Sequence, residues 1–168
     1  DLQGILEEAR QENQTVAHLP DDSLPGAYPT AHFGESIFSA MLGGQIRFVG
    51  TRAYTCSGAE PLLTDYDDLP KLRYGKDMPW AQRYLNSLRD ATQLHPPDMF
   101  FWDFVTIDTW NLAVELRGST EAYLDVACSP RQLGELMQFG VGYACWFYQM
   151  EREIIGPYNL AVAQGHDY

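Results

Sequence analysis

The sequence predicts an α/β fold whose strands run parallel. Strand-like and helix-like segments alternate along the chain, and a run from Met99 to Ile107 is aromatic or β-branched almost throughout. A long amphipathic helix then begins at Pro130. Such a continuous apolar run fits a strand covered on both faces, the pattern of parallel sheets.

The elements follow in order. Leu2, Ile5, Leu6 and Ala9 recur at helical spacing, so Leu2 to Gln11 reads as a helix with Glu7, Glu8 and Arg10 outward. Pro20, Pro25, Gly26 and Pro29 make His18 to Pro29 a loop. A helix is expected over Phe33 to Leu42, closed by Gly43-Gly44. Ile46, Phe48 and Val49 suggest a strand, with a turn at Ser57-Gly58 beyond it. Tyr66 to Pro70 reads as a surface turn or short helix. Pro79 opens a helix with Trp80, Tyr84, Leu85 and Leu88 on one face, fading before His95-Pro96-Pro97. Met99 to Ile107 is the clearest strand, and the helix over Trp110 to Leu116 stops at Gly118. Ser129-Pro130 caps the long helix, which buries Leu133, Leu136, Met137, Val141, Ala144, Cys145 and Tyr148 and ends at Gly156-Pro157. Leu160 to Ala163 reads as a last strand. No repeat or linker interrupts the chain, and residues 1–168 read as a single domain.

Length and charge narrow the class further. The chain has 168 residues, too few for the roughly 250 of a (β/α)8 barrel, so the expectation is an incomplete TIM-type barrel. At 45% hydrophobic and 13% aromatic it is too rich in core-formers for a disordered acidic tail. Eleven Lys and Arg against 23 Asp and Glu give a net charge of −12. That sign argues against nucleic acid and against electrostatic attachment to an anionic membrane. No run approaches the roughly 18 apolar residues of a membrane span. Cys56, Cys128 and Cys145 are odd in number and form no C-x-x-C pair, which points to reduced thiols and a cytoplasmic location.

Candidate site residues come from the barrel expectation, where chemistry gathers at the C-terminal ends of strands. Asp108 follows the Met99 to Ile107 strand and is a candidate substrate ligand or general base, or else the N-cap of the next helix. Asp103 stands inside that strand between Trp102 and Phe104, where a carboxylate needs partners, functional ones or an arginine. Trp110 and Asn111 are placed to line a pocket mouth, with core packing the alternative for the tryptophan. His166 ends the last strand at the same rim, as a site contributor or a loop histidine. Asp65, Asp67 and Asp68 read as a solvated face, since a calcium loop needs Gly and Glu at set positions they lack.

The run Asp108-Thr109-Trp110-Asn111-Leu112-Ala113-Val114-Glu115-Leu116-Arg117-Gly118 leads on to Tyr123-Leu124-Asp125 and Ser129-Pro130. In order and spacing it resembles the uroporphyrinogen decarboxylase superfamily, with its L-R-G, its Leu-Asp pair and its Pro-initiated amphipathic helix. Gly34-Glu35-Ser36, Leu42-Gly43-Gly44, Arg47-Phe48 and the acidic Asp65 to Leu69 resemble the earlier segments, so the likeness covers Phe33 to Ile155. Asp108 stands where the superfamily usually has the Pro of a Gly-Pro pair. The resemblance implies the N-terminal portion of a (β/α)8 barrel acting on a small molecule. One branch decarboxylates porphyrinogen acetate groups without a cofactor, using an R-Q-A-G-R-Y-like loop that is absent here. The other resembles corrinoid-linked methyltransferases, which activate a thiol on zinc held by a His-x-Cys and a later Cys. That branch is the expected one, with a corrinoid protein as partner and its zinc ligands beyond Tyr168, none of them within this chain. A decarboxylase of another carboxylate and a non-catalytic binding or assembly fragment are the alternatives. Open edge strands are expected to be covered by the rest of the barrel or by a second copy.

Overall fold

The computed structural model of the chain describes residues 2–19, 25–29, 34, 36–50, 55–104 and 107–158, with the backbone alone at 49, 50, 55 and 56. In order, the elements are α1 (Leu2–Val16), β1 (Gly26–Ala27), α2 (Ile37–Met41), β2 (Ile46–Gly50), β3 (Thr55–Ala59), α3 (Pro79–Gln93), β4 (Phe100–Phe101), α4 (Thr109–Arg117), α5 (Ser119–Cys128) and α6 (Pro130–Ile155). Short 3₁₀ turns occupy Tyr66–Lys71 and Gly156–Tyr158.

This order corrects the expected fold class. The described residues are mostly helical, and their strands form two separate two-stranded sheets: β1 with β4, parallel, and β2 with β3, antiparallel. They do not have the alternating pattern of a (β/α)8 barrel. Among the described residues the strand expected over Met99 to Ile107 is reduced to Phe100–Phe101, because the partner it pairs with there is as short as itself; Val105 and Thr106 lie outside the described residues. Phe100 donates its N–H to Pro25 O at 2.9 Å and Trp102 to Ala27 O at 3.0 Å, and the pairing ends there. Aromatic and β-branched residues suit a pleated surface without creating one. The last expected strand, Leu160 to Ala163, lies outside the described residues.

The chain divides into two compact units. The first comprises Asp1–His32, Arg83–Val105 and Tyr148–Tyr168. Here α1 turns Leu6 inward, and Asn13 Nδ2 donates to Ala9 O at 2.8 Å and Gly26 O at 3.1 Å, tying α1 to β1. Gly26 is a close-approach position: a Cβ there would run into the Trp102 indole. The α3 residues Tyr84, Leu85, Leu88 and Ala91 are buried at helical spacing, as its sequence face predicts for the first three. Phe101 of β4 is fully buried, with the His95 ring edge-on at 4.8 Å.

The second unit comprises Phe33–Gln82 and Thr106–Phe147. Every residue of α2 is buried. The β2–β3 pair runs from Ile46 opposite Ala59 to Gly50 opposite Thr55, so Ser57-Gly58 is strand rather than turn. Phe48 is exposed on this ribbon. Gly118, at φ +85°, both closes α4 and precedes α5, a helix the sequence reading lacks. Along α6, Leu133, Leu136, Gly140, Tyr143 and Phe147 form the buried stripe. Val141, Cys145 and Tyr148, expected on that side, are exposed. The Tyr143 hydroxyl donates to Phe38 O at 3.0 Å, and the Phe38 ring lies edge-on to Phe147 at 5.1 Å. Among the described residues no helix is long and apolar enough to cross a membrane.

Candidate functional site

Beyond Phe147 the apolar stripe of α6 reaches Met150 and then Glu151, one helical repeat after Phe147. Glu151 is fully buried, which a carboxylate tolerates only with partners. Tyr84 of α3 supplies one: its hydroxyl donates to Glu151 Oε1 at 2.5 Å. The backbone N–H of Phe104 supplies the other, 3.1 Å from Oε1 and 3.2 Å from Oε2. The Phe104 ring lies edge-on to Tyr84 with centroids 6.1 Å apart. Asp103 precedes it, half-buried, with its negative charge acting on Glu151.

Burial pushes the Glu151 carboxyl up, the Tyr84 and Phe104 hydrogen bonds pull it back, and the Asp103 charge raises it again, to about 7. All of these groups belong to the first unit. A buried carboxyl that exchanges its proton near neutrality, beside a second and more accessible carboxylate, has the chemistry of a proton donor and acceptor.

Of the sequence candidates, Asp103 is the one this cluster contains. It stands after β4 rather than within a strand, and its charge acts on a second carboxyl, that of Glu151. Asp108, Trp110 and Asn111 belong to the second unit. Asp108 caps α4, accepting from Asn111 N at 2.9 Å and Asn111 Nδ2 at 2.6 Å. Trp110 is half-buried and packs edge-on to Tyr123 at 5.2 Å. His166 lies outside the described residues. Glu151 itself has a signal in the sequence: it falls on the apolar stripe four residues after Phe147.

The motif residues behind the family resemblance form a buried knot in the second unit. Arg117 Nε donates to Asp125 Oδ2 at 2.8 Å, and Arg117 Nη1 to the carbonyls of Leu63 and Thr64, each at 2.8 Å. The Tyr66 hydroxyl donates to the same Asp125 oxygen at 2.8 Å, and its ring lies under the guanidinium at 4.7 Å. Burial raises the Tyr66 hydroxyl to about 12, with the Asp125 bond adding to it. Burial also pushes Asp125 up, but its bonds to Arg117 and Tyr66 outweigh this and leave it below the usual range.

Among the described residues no group of three His, Cys, Asp or Glu side chains is placed to hold a metal. Cys128 and Cys145 are free and exposed, and the zinc that the resemblance implies has no donor set among those residues. Comparison with known family models, curated proteins and solved structures finds no match.

Proposed function

We propose that this chain serves an enzyme of small-molecule methyl transfer, of the uroporphyrinogen decarboxylase-like kind, with Asp103 and Glu151 as its proton-handling pair. The observation that carries the reading is the Glu151 carboxyl, buried, raised to about 7 and hydrogen-bonded to Tyr84. When a methyl group passes from oxygen, nitrogen or sulfur to a nucleophilic acceptor, the atom it leaves takes up a proton. A carboxyl still protonated near neutral pH has one to give. Asp103 is half-buried where Glu151 is fully buried, so in this proposal Asp103 takes the substrate-facing part of the pair. The motif likeness adds support, because Tyr66, Arg117 and Asp125, from three segments that carry it, bond to one another. A corrinoid protein as the methyl acceptor belongs to this proposal.

Decarboxylation is the second reading, favoured by the same carboxyl, since the carbanion left when CO2 departs also needs a proton. Against it stand the net charge of −12 and the missing arginine-rich loop. The test sets the purified chain against a panel of methylated oxygen, nitrogen and sulfur compounds with a corrinoid acceptor, and in parallel against small carboxylic acids with CO2 detection. Methyl transfer is the expected outcome, with Glu151→Gln lowering kcat about 10²–10⁴-fold. CO2 release alone selects the second reading; neither product, or full turnover by Glu151→Gln, overturns the proposal.

A further inference from the structure

The β2–β3 ribbon is a sheet of two strands, and among the described residues no third strand pairs with it. Glu60 donates its N–H to Gln45 O at 3.2 Å, which makes these two a hydrogen-bonded pair in the register of the ribbon. Bonded and non-bonded pairs alternate along an antiparallel ladder. Arg47 and Val49 therefore turn their backbone groups toward Gly58 and Cys56, while Ile46, Phe48 and Gly50 turn N–H and C=O away from β3. The outer edge of β2 is a template for another strand. Ser57 of β3, by contrast, has Gly34 and Ser36 against it, Ser36 donating its N–H to Ser57 Oγ at 3.2 Å.

Nothing in β2 blunts its edge. It has no proline or lysine, and its register runs without a bulge from Ile46 to Gly50. Its one charge, Arg47, is bridged to Glu60 of the same ribbon. Phe48, the middle residue of the strand, is 66% exposed, and its cross-strand neighbour is the small Ser57. The outward groups also match themselves: about a two-fold axis at Phe48, Phe48 meets Phe48 and Ile46 meets Gly50. Between Glu35 and Glu60 lies the longest stretch of the chain without a carboxylate. In a chain of net charge −12, that is where a second copy approaches against the least repulsion.

We infer that β2 is a self-association edge, at which two copies of the chain join antiparallel through Ile46–Gly50. The join makes one sheet in the order β3–β2–β2–β3, with the two Phe48 rings side by side at its centre. A sheet needs three or more strands to stand by itself, and the join takes the ribbon past that number. Five residues a side fall short of the roughly 800 Å² per partner of a standard interface, so the dimer is weak and concentration-dependent.

Sedimentation equilibrium of the full chain from micromolar to millimolar concentration tests this, with a reversible monomer–dimer equilibrium as the expected result. Phe48→Pro is expected to stay monomeric, because the N–H it removes faces outward and the β2–β3 ladder does not use it. Phe48→Lys keeps the backbone intact, sets like charges across the axis and is expected to weaken the dimer at least about tenfold. Register is read by cross-linking in a chain whose three cysteines are replaced by serine. Phe48→Cys is expected to form a disulfide between copies, since facing Cα atoms of a bonded pair stand about 5.5 Å apart. Gln45→Cys is expected not to, its two copies lying about 20 Å apart along the pairing. A chain that stays monomeric throughout, a dimer that survives both Phe48 variants, or equal cross-linking at the two positions overturns the inference. So does a dimer lost instead in Val126→Glu, which places a charge on the exposed apolar side of α5.

Discussion

Arg117 shows what a single buried side chain is asked to hold. It and Asp125 are 7% and 8% exposed, and the guanidinium spends its fork on one carboxylate and two backbone carbonyls. The pair lost hydration on burial, so its net worth over an apolar pair is small, whereas an unmatched survivor is costly. Asp125→Asn is therefore expected to lower unfolding free energy by about 3–5 kcal/mol in urea denaturation, because Arg117 keeps its charge without its counter-charge. Arg117→Met with Asp125→Leu is expected to regain a large part of that loss. A double variant no better than Asp125→Asn would mean that Arg117 matters mainly for the Leu63 and Thr64 carbonyls. Either result keeps Arg117 and Asp125 as structural residues, which is where the geometry puts the most specific part of the sequence motif.

At the scale of elements, the stops and starts of α4 are local chemistry. Asp108 satisfies the free amide of Asn111, and Asp108→Ala is expected to cost about 1 kcal/mol by thermal or chemical unfolding. Gly118→Ala is expected to cost about 1–2 kcal/mol from its left-handed backbone alone. Its new Cβ would also stand 3.1 Å from Pro61 Cγ. Serine at 108 as harmful as alanine would remove the capping account. These same residues explain which elements were legible in the sequence. Pro79, Asp108, Gly118, Ser129-Pro130 and Gly156 punctuate α3, α4 and α6, and all three helices lie close to their expected spans. The α5 helix was not legible, because it buries only Ala122 and Asp125 and carries no apolar stripe. The Met99 to Ile107 run misled for the opposite reason: its composition suits a strand, but strand length is set by pairing, and β1 offers two residues. In the site, Asp103 was visible as a carboxylate among aromatics. Glu151 hid inside a helical face whose register was read through Val141 and Cys145 instead of Tyr143 and Phe147.

For the whole molecule, the pH dependence of stability separates buried from surface electrostatics. Asp98 beside Arg10 and Asp77 beside Arg73 are held below the usual carboxylate range by exposed, salt-screened bonds, and Asp125 is held there by Arg117 and Tyr66 despite its burial. Such groups lend stability above their unfolded values and lose it as pH falls through their folded ones. Glu151 has the opposite sign. Its folded carboxyl titrates at about 7 against 4.5 when free, so between those values the native chain binds a proton that the unfolded chain has released. Stability is then expected to fall by about 3 kcal/mol as pH rises through that window, and to level off above it. Self-repulsion in a chain of net charge −12 slopes the same way, so the curve of the unmodified chain alone does not isolate Glu151. Two comparisons do. Glu151→Gln keeps nearly the whole surface charge and is expected to flatten the fall between pH 4.5 and 7, the window that Glu151 sets. High salt is expected to soften the repulsive part while leaving the Glu151 part in place, because dry burial rather than distant charge is its main cause. Urea denaturation across this window, with and without salt, measures both; parallel curves for the unmodified chain and Glu151→Gln would show that this carboxyl is already ionised inside the fold, and the proton-handling reading would go with it.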